Sequence, residues 1–253
     1  MSVIKVEKSG AIRTVTLARP EKRNALNSEM LTGLHAAFHT APDKGERVAV
    51  IRAEGPVFCA GIDLRERLEK PAGHGESPIE IVLDAIEHYP LPVVAVVQGD
   101  AIAGGNELAL HADFVVAATT ARFGMSLAQI GLAPTWFLAK KMIEVAGPVA
   151  SREVLLLGDP VSAERMHALG LIARIAPPAG LEAAATATIE RLAANAPLSL
   201  RAIKTMLVRQ MRYRDGIPHG DVEALVEAAR RSADAKEGIQ ARLEKRTPRF
   251  SGE

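Results

Sequence analysis

The chain has 253 residues, a formal net charge of +1, 48% hydrophobic residues and 4% aromatics, which allows one large domain whose core is built from Ala, Val, Leu and Ile. Such a balance offers no basic face to a polyanion, so no nucleic-acid partner is expected. No stretch reaches the ~18 apolar residues of a membrane span, and the N-terminus lacks the apolar run of a signal peptide. The one cysteine, Cys59, excludes an intrachain disulfide and fits a reducing, cytoplasm-like compartment.

Residues 3–6 and 12–17 alternate like two strands around a turn at Ser9-Gly10. The polar, Pro-marked run 19–24 reads as a loop. Asn27 can cap a helix that places Met30, Leu31, Leu34 and Phe38 on one face. Val48, Val50 and Ile51 make a buried strand that stops at Glu54-Gly55-Pro56. The stretch 71–78, rich in Gly, Pro and charge, is expected to be mobile. Residues 79–86 have helical spacing, ended by Pro90 and Pro92. Residues 93–97 form a further strand, 100–105 turn into a helix carrying Glu107, and 114–117 form another strand. This order argues for an α/β core. Beyond about residue 180 the stretches 181–194, 198–211 and 221–243 are helical without strands between them. We therefore divide the chain into a core at 1–190 and a helical C-terminal part at 191–253.

Two segments place small residues between a strand and a helix: FCAGIDL at 58–64 and GDAIAGGNEL at 99–108. Small residues let a backbone approach a ligand, and a helix N-terminus offers unpaired N–H groups. Each turn alone is also an ordinary tight connection. Converging on one oxygen, the two would form an oxyanion hole for the charge that develops on a thioester carbonyl. Neither is GxGxxG or a P-loop, so nothing supports nucleotide cradling.

Together with RPEKRNALN at 19–27, these segments resemble the enoyl-CoA hydratase/isomerase (crotonase) superfamily. So do Phe123-Gly124, Leu157-Gly158, Ala168-Leu169-Gly170-Leu171 and the closing LEKRTP at 243–248. The resemblance implies an α/β spiral of ββα turns, with a helical C-terminal part that joins subunits into trimers, often paired into hexamers. It implies an oxyanion hole from the backbone N–H groups of Ile62 and Gly104. Ala60, Asp63, Leu64 and the loop at Arg23 to Ala25 would lie along the coenzyme A region, and Lys245, with Arg246, would meet the nucleotide. Coenzyme A enters as part of an acyl thioester substrate; no separate cofactor and no metal is expected.

Glu107 follows Gly104 by three residues. If Gly104 opens a helix, the two share a face, and the carboxylate can move a proton beside the oxyanion hole. The family pattern puts one of two catalytic glutamates at this position; an acidic residue complementing a helix N-terminus is the plainer reading. The second glutamate is absent, because Leu127 occupies the matching position and has neither a proton nor a lone pair to offer. Thr135 and Trp136 follow Pro134 in the loop where relatives line the acyl pocket, and equally suit a core or surface role. Glu80 and Asp84 lie on the helix that the resemblance places near the acyl end, with a solvated helix face as their default. The histidines show no ligand spacing, and Cys59 reads as a buried filler. Three functions follow. One is hydration or dehydration of a 2-enoyl thioester by a single carboxylate. Another is a different reaction of the same fold, namely isomerisation, decarboxylation or thioester hydrolysis. The third is acyl-CoA binding without chemistry.

Overall fold

Alternation at the N-terminus folds as a hairpin. β1 (Ile4–Ser9) pairs antiparallel with β2 (Ile12–Leu17) across a turn in which Gly10 has φ +57°, a backbone state that glycine adopts at no steric cost. The computed structural model describes residues 2–69 and 77–252; residues 71–76 of the Gly- and Pro-rich stretch, expected to be mobile, lie outside the described residues.

In chain order there follow α1 (Ser28–His39), β3 (Val48–Ala53), α2 (Leu64–Glu69), α3 (Pro78–Glu87), β4 (Val93–Val97), β5 (Ala101–Ile102), α4 (Gly104–Leu110) and β6 (Phe114–Ala118). Then come β7 (Arg122–Gly124), α5 (Trp136–Arg152), β8 (Val161–Ser162), α6 (Ala163–Ala168) and β9 (Arg174–Ala176). α7 (Leu181–Ala193), α8 (Pro197–Met211), α9 (Gly220–Arg231) and α10 (Ala233–Glu244) complete the fold. The main sheet runs β1-β2-β3-β4-β6-β9 and is parallel from β2 onward; a small second sheet runs β5-β7-β8.

These pieces make a spiral. β4, β5 and α4 form one turn, and β6, β7 and α5 the next. The preceding turn contributes two isolated bridges before α2, Cys59 to Ala101 and Ile62 to Leu26. Parallel strands covered on both faces read as nearly continuous apolar runs, and β4 is buried throughout. One face of the sheet packs with Met30, Leu34 and Phe38 of α1 and Val82, Leu83 and Ile86 of α3. The other face, with Val48, Val50, Val94, Val96 and Val116, is covered by Leu181, Ala185, Ile189 and Leu192 of α7. Each fully buried Leu or Ile there contributes about 1.5–3 kcal/mol, so a charge at Ile189 would detach the helix.

The division at residue 190 falls inside α7. Beyond it, α8 lies mostly exposed and is tied in by one buried side chain. Lys204 Nζ reaches Asp113 Oδ2 at 2.6 Å and the carbonyl of Leu91 at 3.2 Å, while the same Oδ2 accepts the Val93 N–H at 2.7 Å. The single stretch 221–243 is two helices, because the Ser232 side chain caps α10 by accepting the Ala235 N–H at 2.9 Å. α10 crosses the turn 128–131 so closely that a Cβ on Gly238 would stand 2.4 Å from the Ile130 carbonyl carbon. Among the described residues no helix is long and apolar enough to cross a membrane.

Candidate active site

The loop at 19–27 is built around Asn24, fully buried at φ +52°, a conformation to which asparagine is unusually tolerant. Its Oδ1 accepts the Arg19 N–H at 2.9 Å, and its Nδ2 donates to the carbonyls of Glu54 and Val57, each at 2.9 Å. This holds the loop against segment 58–64. Arg19 donates to the Ala25 carbonyl (2.9 Å) and to Asp63 Oδ2 (2.7 Å).

Segment 59–63 threads between two neighbours. Cys59 bonds to one of them, with its N–H on the Asp100 carbonyl at 3.1 Å and its carbonyl accepting the Ile102 N–H at 2.9 Å. Ala60 turns the other way and donates to the Arg23 carbonyl at 3.1 Å. Gly61, at φ +91°, keeps the next link on that side, so the Gly61 carbonyl accepts from Leu26 at 2.7 Å and the Asp63 N–H donates to Leu26 at 2.9 Å. Both neighbours of Ile62 thus face Leu26. By strand alternation the Ile62 N–H faces the opposite side, where residues 102–104 run.

The two turns are in contact. A Cβ on Gly61 would stand 2.9 Å from the Ile102 carbonyl oxygen and 3.2 Å from the Gly104 nitrogen, and one on Gly104 would stand 3.6 Å from the Gly61 Cα. Ala103 is held at φ +49°, ψ −118° by its N–H on the Gly124 carbonyl at 2.7 Å. Such a conformation costs an alanine about 1–3 kcal/mol and is characteristic of functional turns. Gly104 is the first residue of α4, so its N–H has no partner within the helix. Among the described residues the amides of Ile62 and Gly104 donate no hydrogen bond.

Glu107 lies one turn along α4 from Gly104, with 0% exposure, and neither carboxyl oxygen has a hydrogen-bond partner. Burial pushes its pKa up to about 8; Lys141 opposes the rise and Glu80 adds to it. Below it, His111 donates from Nδ1 to the Glu107 carbonyl at 2.8 Å, and that nitrogen stands 3.7 Å from Glu107 Oε2. Burial, reinforced by Lys141, pushes His111 down to about 4, so the ring is neutral at pH 7 and this is not an ion pair. A buried acid whose proton affinity is matched to neutral pH can both take and return a proton.

Residues 7–253 match the family profile described as enoyl-CoA hydratase/isomerase. The chain belongs to the enoyl-CoA hydratase/isomerase family. A Thermus thermophilus protein provisionally named an enoyl-CoA hydratase is 38% identical, over 98% of this chain and 100% of its own length. The enoyl-CoA hydratase EchA19 of Mycobacterium tuberculosis is 32% identical, over 97% of this chain and 95% of its own. Among solved structures, a methylmalonyl-CoA decarboxylase in complex with 2-nitronate-propionyl-CoA superposes with a TM-score of 0.91 over 99% of both chains at 23% identity, a likeness of fold. The spiral with its helical C-terminal part is the crotonase fold expected from the sequence.

Against that family frame, the remaining sequence-predicted residues fall in several places. Arg23 is exposed, with its guanidinium 4.0 Å from Asp100 Oδ2. Ala25, Ala60, Ile62 and Leu64 are half-buried along the same stretch. Asp63 caps α2, accepting from the N–H groups of Arg65 and Glu66 at 3.1 and 3.4 Å. Burial works against its charge, but Arg19 and those amides hold its carboxyl below the usual range. Leu127 packs against the main core. Thr135 and Trp136, expected in a loop, open α5 instead: the Thr135 hydroxyl caps it by accepting the Leu138 N–H at 3.4 Å. The Trp136 ring stacks on His219 at 4.7 Å, and the Trp136 backbone N–H donates to Glu223 Oε1 at 3.1 Å. Asp84 points outward to His88, whereas Glu80 bears on Glu107. Lys245 ends α10 in the left-handed conformation and is exposed, while Arg246 forks onto Glu237 at 2.6 and 2.8 Å. Burial holds the Cys59 thiol up at about 12, unfit as a nucleophile. No group of metal-binding side chains occurs among the described residues.

Sequence reasoning missed His111, Lys141 and Asn24. The four-residue steps Glu107 to His111 and Phe137 to Lys141 carried a signal for the first two. Asn24 gave none beyond its residue type.

Proposed function

We propose that the chain is a lyase acting on acyl-CoA thioesters, hydrating a 2-enoyl thioester or dehydrating its 3-hydroxy product with Glu107 as the single acid/base. The observation that carries this is the buried, unpartnered carboxyl of Glu107 beside two touching turns whose amides at Ile62 and Gly104 are uncommitted. In the hydration direction Glu107 takes a proton from water as the oxygen bonds to C3. The electron pair of the double bond moves to the thioester oxygen, where the two N–H groups stabilise it by roughly 3 kcal/mol each. Glu107 then returns the proton to C2, so one water is added and the carboxylate is regenerated. Arg23, Ala25, Ala60, Asp63 and Leu64 would flank the pantetheine and nucleotide, and Lys245 would meet a phosphate.

A second reading is the shift of a 3-enoyl to a 2-enoyl thioester by the same base. The apolar Leu127 favours it, since position 127 offers no carboxylate to orient a water. The exposed apolar side chains Leu198, Ile203, Met206 and Leu207 on α8 support assembly into trimers or pairs of trimers, and the chain's lone cysteine supports a cytoplasmic setting.

The test is incubation of the purified protein with crotonyl-, 3-enoyl- and malonyl-type CoA thioesters, with products followed by mass. Gain of one water by the crotonyl thioester, lost by about 10²–10⁴-fold in Glu107→Gln, supports the lyase. Conversion of the 3-enoyl thioester alone selects the isomerase. Loss of carbon dioxide from the malonyl-type thioester replaces both, and a folded protein that binds no acyl-CoA defeats all of them.

A further inference from the structure

The layer beneath Glu107 is more elaborate than a carboxyl in an apolar pocket requires. α4 turns Glu107 and His111 toward α5, which presents Phe137 and Lys141 at the same four-residue step. The His111 ring stacks on Phe137 with centroids 5.3 Å apart and planes 11° from parallel. Its Nδ1–H is committed to the Glu107 carbonyl, and its buried Nε2 has no partner. Lys141 is 8% exposed, with Nζ 2.9 Å from Glu87 Oε1 on α3 and 2.8 Å from Glu144 Oε2 one turn along α5. Burial works against that ammonium, but the two carboxylates keep it charged. The titratable groups bearing on Glu107 are therefore Lys141 on α5 and Glu80 on α3, with neutral His111 on its own helix and Glu87 and Glu144 neutralising the lysine. A buried ion pair is an expensive way to stabilise a fold, since apolar residues of the same volume do as well or better. An ammonium held one helical turn from the Phe137 ring that stacks on His111, itself 3.7 Å from Glu107 Oε2, lies in the same layer as the buried acid and bears on its protonation.

We propose that Lys141 and His111 are positioning residues for Glu107, forming with Glu87 a charge-setting layer through which α5 and α3 fix how readily the acid gives up its proton. Lys141 favours the ionised form, Glu87 moderates Lys141, and the His111 ring, locked as the Nδ1–H tautomer, supplies a dipole beside Oε2. This rests on the reading of Glu107 as the acid/base. It adds that the proton affinity of the site is set from behind, by residues that touch no substrate.

The experiment titrates Glu107 directly in the full-length protein, using carboxyl-13C-labelled glutamate and taking the resonance missing from Glu107→Gln as its assignment. Wild type should titrate near pH 8. Lys141→Met should raise the midpoint by about one pH unit, Lys141→Arg should leave it in place, and Glu87→Gln should lower it. A loss of packing alone would not move the two charge variants in opposite directions. If Lys141→Met does not fold, Glu87→Gln decides the matter by itself. Midpoints that stay at the wild-type value, or move the same way in both variants, overturn the proposal. Midpoints that move as stated in a protein that turns over no enoyl thioester would keep the layer and discard the acid/base reading.

Discussion

Replacing Glu107 by glutamine preserves volume and removes the proton, so the pH dependence of stability isolates what burial does to this carboxyl. Its pKa rises from 4.5 in the ordinary state to about 8 in the folded protein. Between those values the folded state keeps a proton that the unfolded chain has lost, so wild-type stability falls as pH rises through the window, by up to about 1.4 kcal/mol per pH unit. Below pH 4.5 both states are protonated and the penalty vanishes; above about 8 it is complete, at roughly 3–5 kcal/mol. His111 contributes an opposite limb, because its pKa is pushed down to about 4: stability is lost as pH falls from its ordinary value toward 4. Both proteins share that limb, so it cancels in their difference. Urea unfolding of wild type and Glu107→Gln from pH 4 to 9, at one protein concentration, should give curves that coincide at acid pH and separate in favour of the glutamine by several kcal/mol at pH 8. Curves that stay parallel across the range would show that Glu107 is solvated or paired in the folded protein.

Gly61→Ala places a side chain at φ +91° with its Cβ 2.9 Å from the Ile102 carbonyl oxygen. It should force the two turns apart, lowering kcat by about 10²–10³-fold, as loss of one oxyanion donor does, with a stability loss of about 1–3 kcal/mol by thermal melting. Lys204→Met leaves the partly exposed Asp113 carboxylate without its ammonium partner and should cost about 1–3 kcal/mol in urea unfolding; adding Asp113→Asn should recover part of that.

Several elements are legible in the sequence because one physical signal governs each. Alternation gives β1 and β2, the apolar spacing of Met30, Leu34 and Phe38 gives α1, and the unbroken run at Val93 to Val97 gives β4. Gly104 as the start of a helix bearing Glu107 is legible for the same reason. What escaped depends on contacts between distant segments. α5 differs, because its backbone breaks at Gly147 (φ +68°, ψ 173°) just before Pro148, a kink that these two residues do signal locally. The break at Ser232 looks like any exposed serine until its hydroxyl is seen to cap α10. Lys141 offers only its four-residue step from Phe137, because its burial and its partners Glu87 and Glu144 belong to the tertiary structure. Asn24 likewise shows its importance only through carbonyls some thirty residues away.

The proposed chemistry needs one target shared by two main-chain donors, which a crystal structure with an unreactive acyl-CoA analogue would reveal. The thioester oxygen should lie about 3 Å from both the Ile62 and the Gly104 nitrogens, with the Glu107 carboxyl facing the carbons next to it. An acyl group bound elsewhere, or an oxygen that meets neither amide, would contradict the account.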